Sequence, residues 1–75
     1  MLRMNTIKVT RYFVETFKYV DIVEYPTEFE MWVQGIGDVE SKFEFGCPKR
    51  QPNGDVIDFE EFEKMVDGYI TEYGI

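Results

Sequence analysis

Asp58-Phe59-Glu60-Glu61-Phe62-Glu63-Lys64-Met65-Val66-Asp67-Gly68-Tyr69-Ile70-Thr71-Glu72-Tyr73-Gly74 is the stretch from which the fold can be read. Asp58 with Glu61 three residues on is an N-cap with a carboxylate at N3, a variant of the capping box. Ile57 before the cap and Phe62 after it are placed for a hydrophobic staple. Phe59, Phe62, Val66, Tyr69 and Tyr73 then recur at steps of three and four, flanked by Met65 and Ile70. That period predicts a helix of about 16 residues, roughly 24 Å long, with one apolar stripe. Gly74 supplies the stop. Glu60, Glu63, Lys64, Asp67, Thr71 and Glu72 fall on the other side, so the helix is amphipathic and acidic.

An amphipathic helix needs an apolar surface to lie on, and the residues before it supply strands. In Glu28–Gln34, Phe29, Met31 and Val33 alternate with Glu28, Glu30, Trp32 and Gln34. In Val39–Phe45, Val39, Ser41, Phe43 and Phe45 alternate with Glu40, Lys42 and Glu44. Period-two alternation is the pattern of a half-buried strand. Gly35-Ile36-Gly37-Asp38 predicts the turn of an antiparallel hairpin. Gly46-Cys47-Pro48 is expected to end the second strand, and Pro52-Asn53-Gly54-Asp55 to form the loop into the helix.

Ile7, Val9, Val14, Val20, Ile22 and Val23 favour strands through β-branching, which suggests strands at about 5–14 and 18–25. Phe13, Phe17 and Val20 also fit a helical stripe, so a first helix is the alternative. The expected fold is α+β, a small antiparallel sheet of three to four strands with one C-terminal helix on it (ββββα), in one domain over 1–75.

Seventy-five residues lie near the lower size limit for folding without staples. Seven Phe, five Tyr and one Trp offset this, since each buried ring removes roughly 150–250 Å² from water. Cys47 is the single cysteine, which rules out an intramolecular disulfide and fits a reducing compartment. No apolar run reaches the ~18 residues of a membrane span, and the first residues do not read as a signal peptide. The expected location is the cytoplasm.

Fifteen acids stand against eight bases, a net charge of −7. Residues 1–25 and 47–57 are each +1, whereas 26–46 carry −4 and 58–75 carry −5. The acid is therefore blocked, which argues against direct binding to nucleic acid or anionic lipid.

Catalytic chemistry finds little support. The chain has no histidine, the commonest general base and metal ligand. Cys47 near Lys49 and Arg50 is better read as a small residue at a strand end than as a nucleophile. Asn53–Phe62 has the look of half a calcium loop. With Ile57 in the central apolar position, though, the first, third and fifth ligand positions fall on Arg50, Pro52 and Gly54. Gly35-Ile36-Gly37 lacks the rest of a phosphate loop. No enzyme activity, cofactor or metal is expected.

What remains is the acidic surface. Glu28, Glu30 and Trp32 share one strand face, Glu40 and Glu44 another, and Glu60, Glu63 and Asp67 the helix. Rows of carboxylates imitate a phosphate backbone, and an aromatic among them is an anchor for a partner. The expected function is a non-enzymatic acidic binding module. Its sharper form is a phage or mobile-element inhibitor that occupies the basic nucleic-acid channel of a host protein. The alternative is a homodimeric structural or regulatory protein that pairs through Tyr69 and Tyr73 or through an open sheet edge.

Overall fold

The computed structural model describes residues 5–15, 18–35 and 41–75. Four strands, β1 (Lys8–Glu15), β2 (Lys18–Glu24), β3 (Glu28–Gly35) and β4 (Lys42–Pro48), precede one helix, α1 (Phe59–Tyr73). The sheet is an antiparallel meander in the order β1-β2-β3-β4. The fold is thus the expected ββββα, and the described residues among the first 25 form two strands rather than a helix. Val39, Glu40, Phe17 and the residues Ile36, Gly37 and Asp38 of the expected hairpin turn lie outside the described residues.

The cross-strand register sorts the side chains onto two faces. Tyr12, Val14, Val20, Ile22, Phe29, Met31, Val33, Phe45 and Cys47 pack with Phe59, Phe62, Val66, Tyr69 and Ile70 of α1 in one apolar core. Phe62 is its hub, stacked on Phe29 at 5.0 Å between ring centres and tilted against Phe45 at 5.4 Å. The opposite, open face is a grid of cross-strand rows: Val9, Val23, Glu30 and Gly46; then Arg11, Asp21, Trp32 and Phe43; then Phe13, Tyr19 and Gln34.

The helix forms as its sequence dictates. Asp58 is extended at φ −101° and its Oδ1 accepts the Glu61 N–H at 2.9 Å. Gly74 takes the left-handed conformation, φ 69°, and donates to the Ile70 carbonyl at 3.0 Å. The apolar stripe drifts off the sheet at its end, so Tyr73 is 63% exposed while Ile70 is half-buried.

Two expectations fail in β4. The strand runs through Gly46 and Cys47 to Pro48, because those residues still pair with Glu30, Phe29 and Glu28. Proline is tolerated there as the last residue of an edge strand. The even alternation of Phe43 and Phe45 also breaks. Met31 pairs with Phe45 but Trp32 pairs with Phe43, so Glu44 is the extra residue of a bulge. Phe45 therefore enters the core, while Phe43 turns to the open face against Trp32, at 5.5 Å and edge-on.

Candidate functional site

The acids singled out in the sequence are divided among three environments. Glu44 and Glu63 face inward and are already occupied. The bulge aims Glu44 at the helix, where it accepts the Tyr69 hydroxyl at 2.9 Å and meets Lys42 at 3.2 Å, leaving its side chain 9% exposed. Glu63 accepts the Tyr12 hydroxyl from β1. Burial and this bond push the Tyr12 hydroxyl up to about 12, and the bond to Glu44 raises that of Tyr69. Neither carboxylate belongs to an outer acidic face, where strand alternation had placed Glu44 and the helical period Glu63. Glu40 lies outside the described residues.

Glu28, Glu30 and Trp32 share the open face, as alternation requires. Trp32 is half-buried and its Nε1 donates to Glu30 at 3.1 Å. Beside them the centre of the face is polar and fixed. Asp21, only 2% exposed, accepts Arg11 Nε at 2.8 Å, Arg11 Nη2 at 3.0 Å and Gln34 Nε2 at 2.5 Å. The Arg11 guanidinium also lies 3.9 Å from the Tyr19 ring centre, and its pKa is raised by the bond to Asp21. A hollow of about 420 Å³ opens here between Val9, Arg11, Val23, Trp32 and Gln34. The sequence reading missed this centre. Its signal is a lone acid inside the apolar run Val20–Val23, which needs a cation on a neighbouring strand.

The third environment is the outer face of α1. Glu60, Glu61, Lys64, Asp67 and Glu72 are exposed there. Four cations in and beside the sheet are engaged elsewhere: Arg11 with Asp21, Lys18 with Glu15, Lys42 with Glu44, and Lys49 with Glu24 at 2.7 Å. Among the described residues, none of Glu60, Glu61, Asp67 and Glu72 has an ion-pair partner. The helix carries five acids against Lys64, a net of −4.

Cys47 points into the core beside Phe29, and Gln51 Nε2 donates to its sulfur at 3.4 Å. Lys49, which sequence proximity offered as an activating cation, is spent on Glu24 and lies 5.0 Å from the Phe29 ring centre. The Asn53–Asp55 segment closes on itself, with Asn53 Oδ1 accepting the Asp55 N–H at 3.0 Å around Gly54 at φ 92°. Among the described residues no group of three or more His, Cys, Asp or Glu side chains converges as on a metal, and no helix is long and apolar enough to cross a membrane.

No protein-family model, curated protein or solved structure matches this chain.

Proposed function

We propose that the protein is a non-enzymatic binding module whose acidic helix docks in the basic, nucleic-acid-binding channel of another protein and inhibits it. The observation that carries this reading is the division of charge. Among the described residues, four ion pairs engage Asp21, Glu15, Glu44 and Glu24 of the sheet, whereas the outer face of α1 keeps its acids unpaired. The four outer carboxylates Glu60, Glu61, Asp67 and Glu72 span roughly 18 Å of the helix. Their mean spacing of about 6 Å is within a factor of two of the ~3.4 Å between phosphates of a single nucleic-acid strand. Glu60, Glu61, Asp67 and Glu72 form this ridge. Glu28, Glu30 and Trp32 look out from the opposite side of the sheet and serve a different contact.

Attraction between such a ridge and a basic channel accelerates encounter and weakens steeply with salt. The test is displacement of labelled DNA or RNA from a panel of nucleases, repressors and polymerases by the protein, at low and moderate salt. Displacement from at least one target is expected, with loss of tenfold or more in potency for the triple variant Glu60→Gln, Asp67→Asn, Glu72→Gln. No displacement from any target at low salt, or displacement untouched by the triple variant, would overturn the reading.

A further inference from the structure

The two edges of the sheet are built differently. The β4 edge is blunted by the bulge at Glu44, by Gly46 and by Pro48, devices that keep a strand from recruiting another. β1 has no glycine or proline, and its register with β2 is regular from Lys8 to Phe13. Among the described residues it pairs with β2 on one side only. Ile7, Val9 and Phe13 stand on its open-face side and are 58%, 37% and 76% exposed. An unpaired strand edge carrying a row of exposed apolar side chains is what a lone soluble domain avoids.

We infer that β1 is an association edge for a second copy of this chain, joining two sheets into one of eight strands. Charge favours this occupant. β1 holds Lys8 and Arg11 against Glu15, a net of +1, while α1 is −4 and the whole chain −7. Two such molecules repel least along β1.

The register follows from symmetry. A two-fold axis normal to a continuous sheet keeps each face on its own side, so it passes through a residue that meets its own copy. Centring on Arg11 opposes two guanidiniums. Centring on Tyr12 sets Val9 against the carboxylate of Glu15. Centring on Thr10 pairs Ile7 with Phe13 of the second copy and Val9 with the stem of Arg11. It also pairs Lys8 with Tyr12 of the second copy, whose hydroxyl is bonded to Glu63. That contact, made twice, brings each lysine towards a carboxylate. The ladder then covers residues 7–13 and stops where the irregularity between Phe13 and Glu15 begins. Thr10 is the centre.

This inference is independent of the acidic ridge and has the opposite salt dependence. Screening the repulsion between two −7 chains tightens the dimer, whereas it loosens a contact with a basic channel. The experiment is light scattering after size exclusion, with disulfide trapping in a Cys47→Ser background. The wild type is expected at twice 9.0 kDa at high micromolar concentration, more completely as salt rises. Val9→Lys, which sets a lysine against Arg11 of the second copy, is expected to be a folded monomer. Thr10→Cys is expected to cross-link under mild oxidation at least tenfold faster than Arg11→Cys or Tyr12→Cys. Those two would hold their Cα pairs about 8 Å and more apart, beyond disulfide reach. A wild-type monomer at every salt concentration would overturn the inference. Equal cross-linking at positions 10, 11 and 12 would do the same. If Thr10→Cys does not fold, the wild type and Val9→Lys decide it.

Discussion

Asp21 is the residue whose chemistry is least negotiable. A carboxylate 2% exposed is tolerable because Arg11 supplies two charged donors and Gln34 a third. The two partners are unequal, since the Arg11 side chain is 48% exposed and reaches water unaided. Removing Arg11 should therefore be the costlier change. We expect Arg11→Met to lose about 2–3 kcal/mol in urea unfolding, because it strands a buried charge. Arg11→Met combined with Asp21→Leu should recover to within about 1 kcal/mol of wild type, as an apolar pair replaces an ionic one. A double variant no better than the single would mean that the pair is not the reason Asp21 is tolerated. Sequence alone could place Asp21 in a strand, from its β-branched neighbours, but not identify its partner. That partner is set by the Arg11–Asp21 register, which depends on how many residues the β1–β2 connection takes up.

At the scale of elements, the helix is held across the sheet by two tyrosine–glutamate bonds. Tyr12 of β1 donates to Glu63 near the start of α1, and Tyr69 near its end donates to Glu44 of β4. Only α1 was legible nearly residue by residue, because its cap, period and stop are local signals. The bulge in β4 was not. One extra residue reverses every later side chain, and Phe43-Glu44-Phe45 alternates equally well with or without it. One site assignment and one core assignment changed face as a result: Glu44 moved inward and Phe43 outward. The Tyr12 bond has a consequence at high pH. Its folded pKa, about 12, exceeds the usual value of 10, so the fold favours the protonated hydroxyl. That contribution is complete below pH 10 and is lost as pH rises from 10 through 12. The loss should be about 1–2 kcal/mol, less than the full two-unit equivalent because the pair is partly solvated. Comparing urea unfolding of wild type and Tyr12→Phe at pH 9 and pH 11.5 checks this. The variant should fall less steeply across that interval, and parallel losses would exclude the mechanism.

For the whole molecule, the decisive constraint is how little interior 75 residues can enclose. The buried apolar cluster between sheet and helix is a single layer, Val20, Ile22, Phe29, Met31, Phe62 and Val66, with Val23 buried on the sheet's other face. Phe62 touches both Phe29 and Phe45 and is completely buried, so the packing of α1 on the sheet passes through one ring. Truncating a buried phenylalanine costs about 3–5 kcal/mol, and a domain of this size has a margin near the bottom of the usual 5–15 kcal/mol. Phe62→Ala should therefore be largely unfolded at 25 °C, without a cooperative thermal transition by circular dichroism. Phe13→Ala removes a ring of equal size that the isolated chain leaves 76% exposed. Below the concentration at which copies associate it should cost less than about 0.5 kcal/mol. If association along β1 buries that ring, the cost should grow with protein concentration while that of Phe62→Ala does not. Stability that depends on concentration at position 13 and not at position 62 separates the core of one chain from an interface between two.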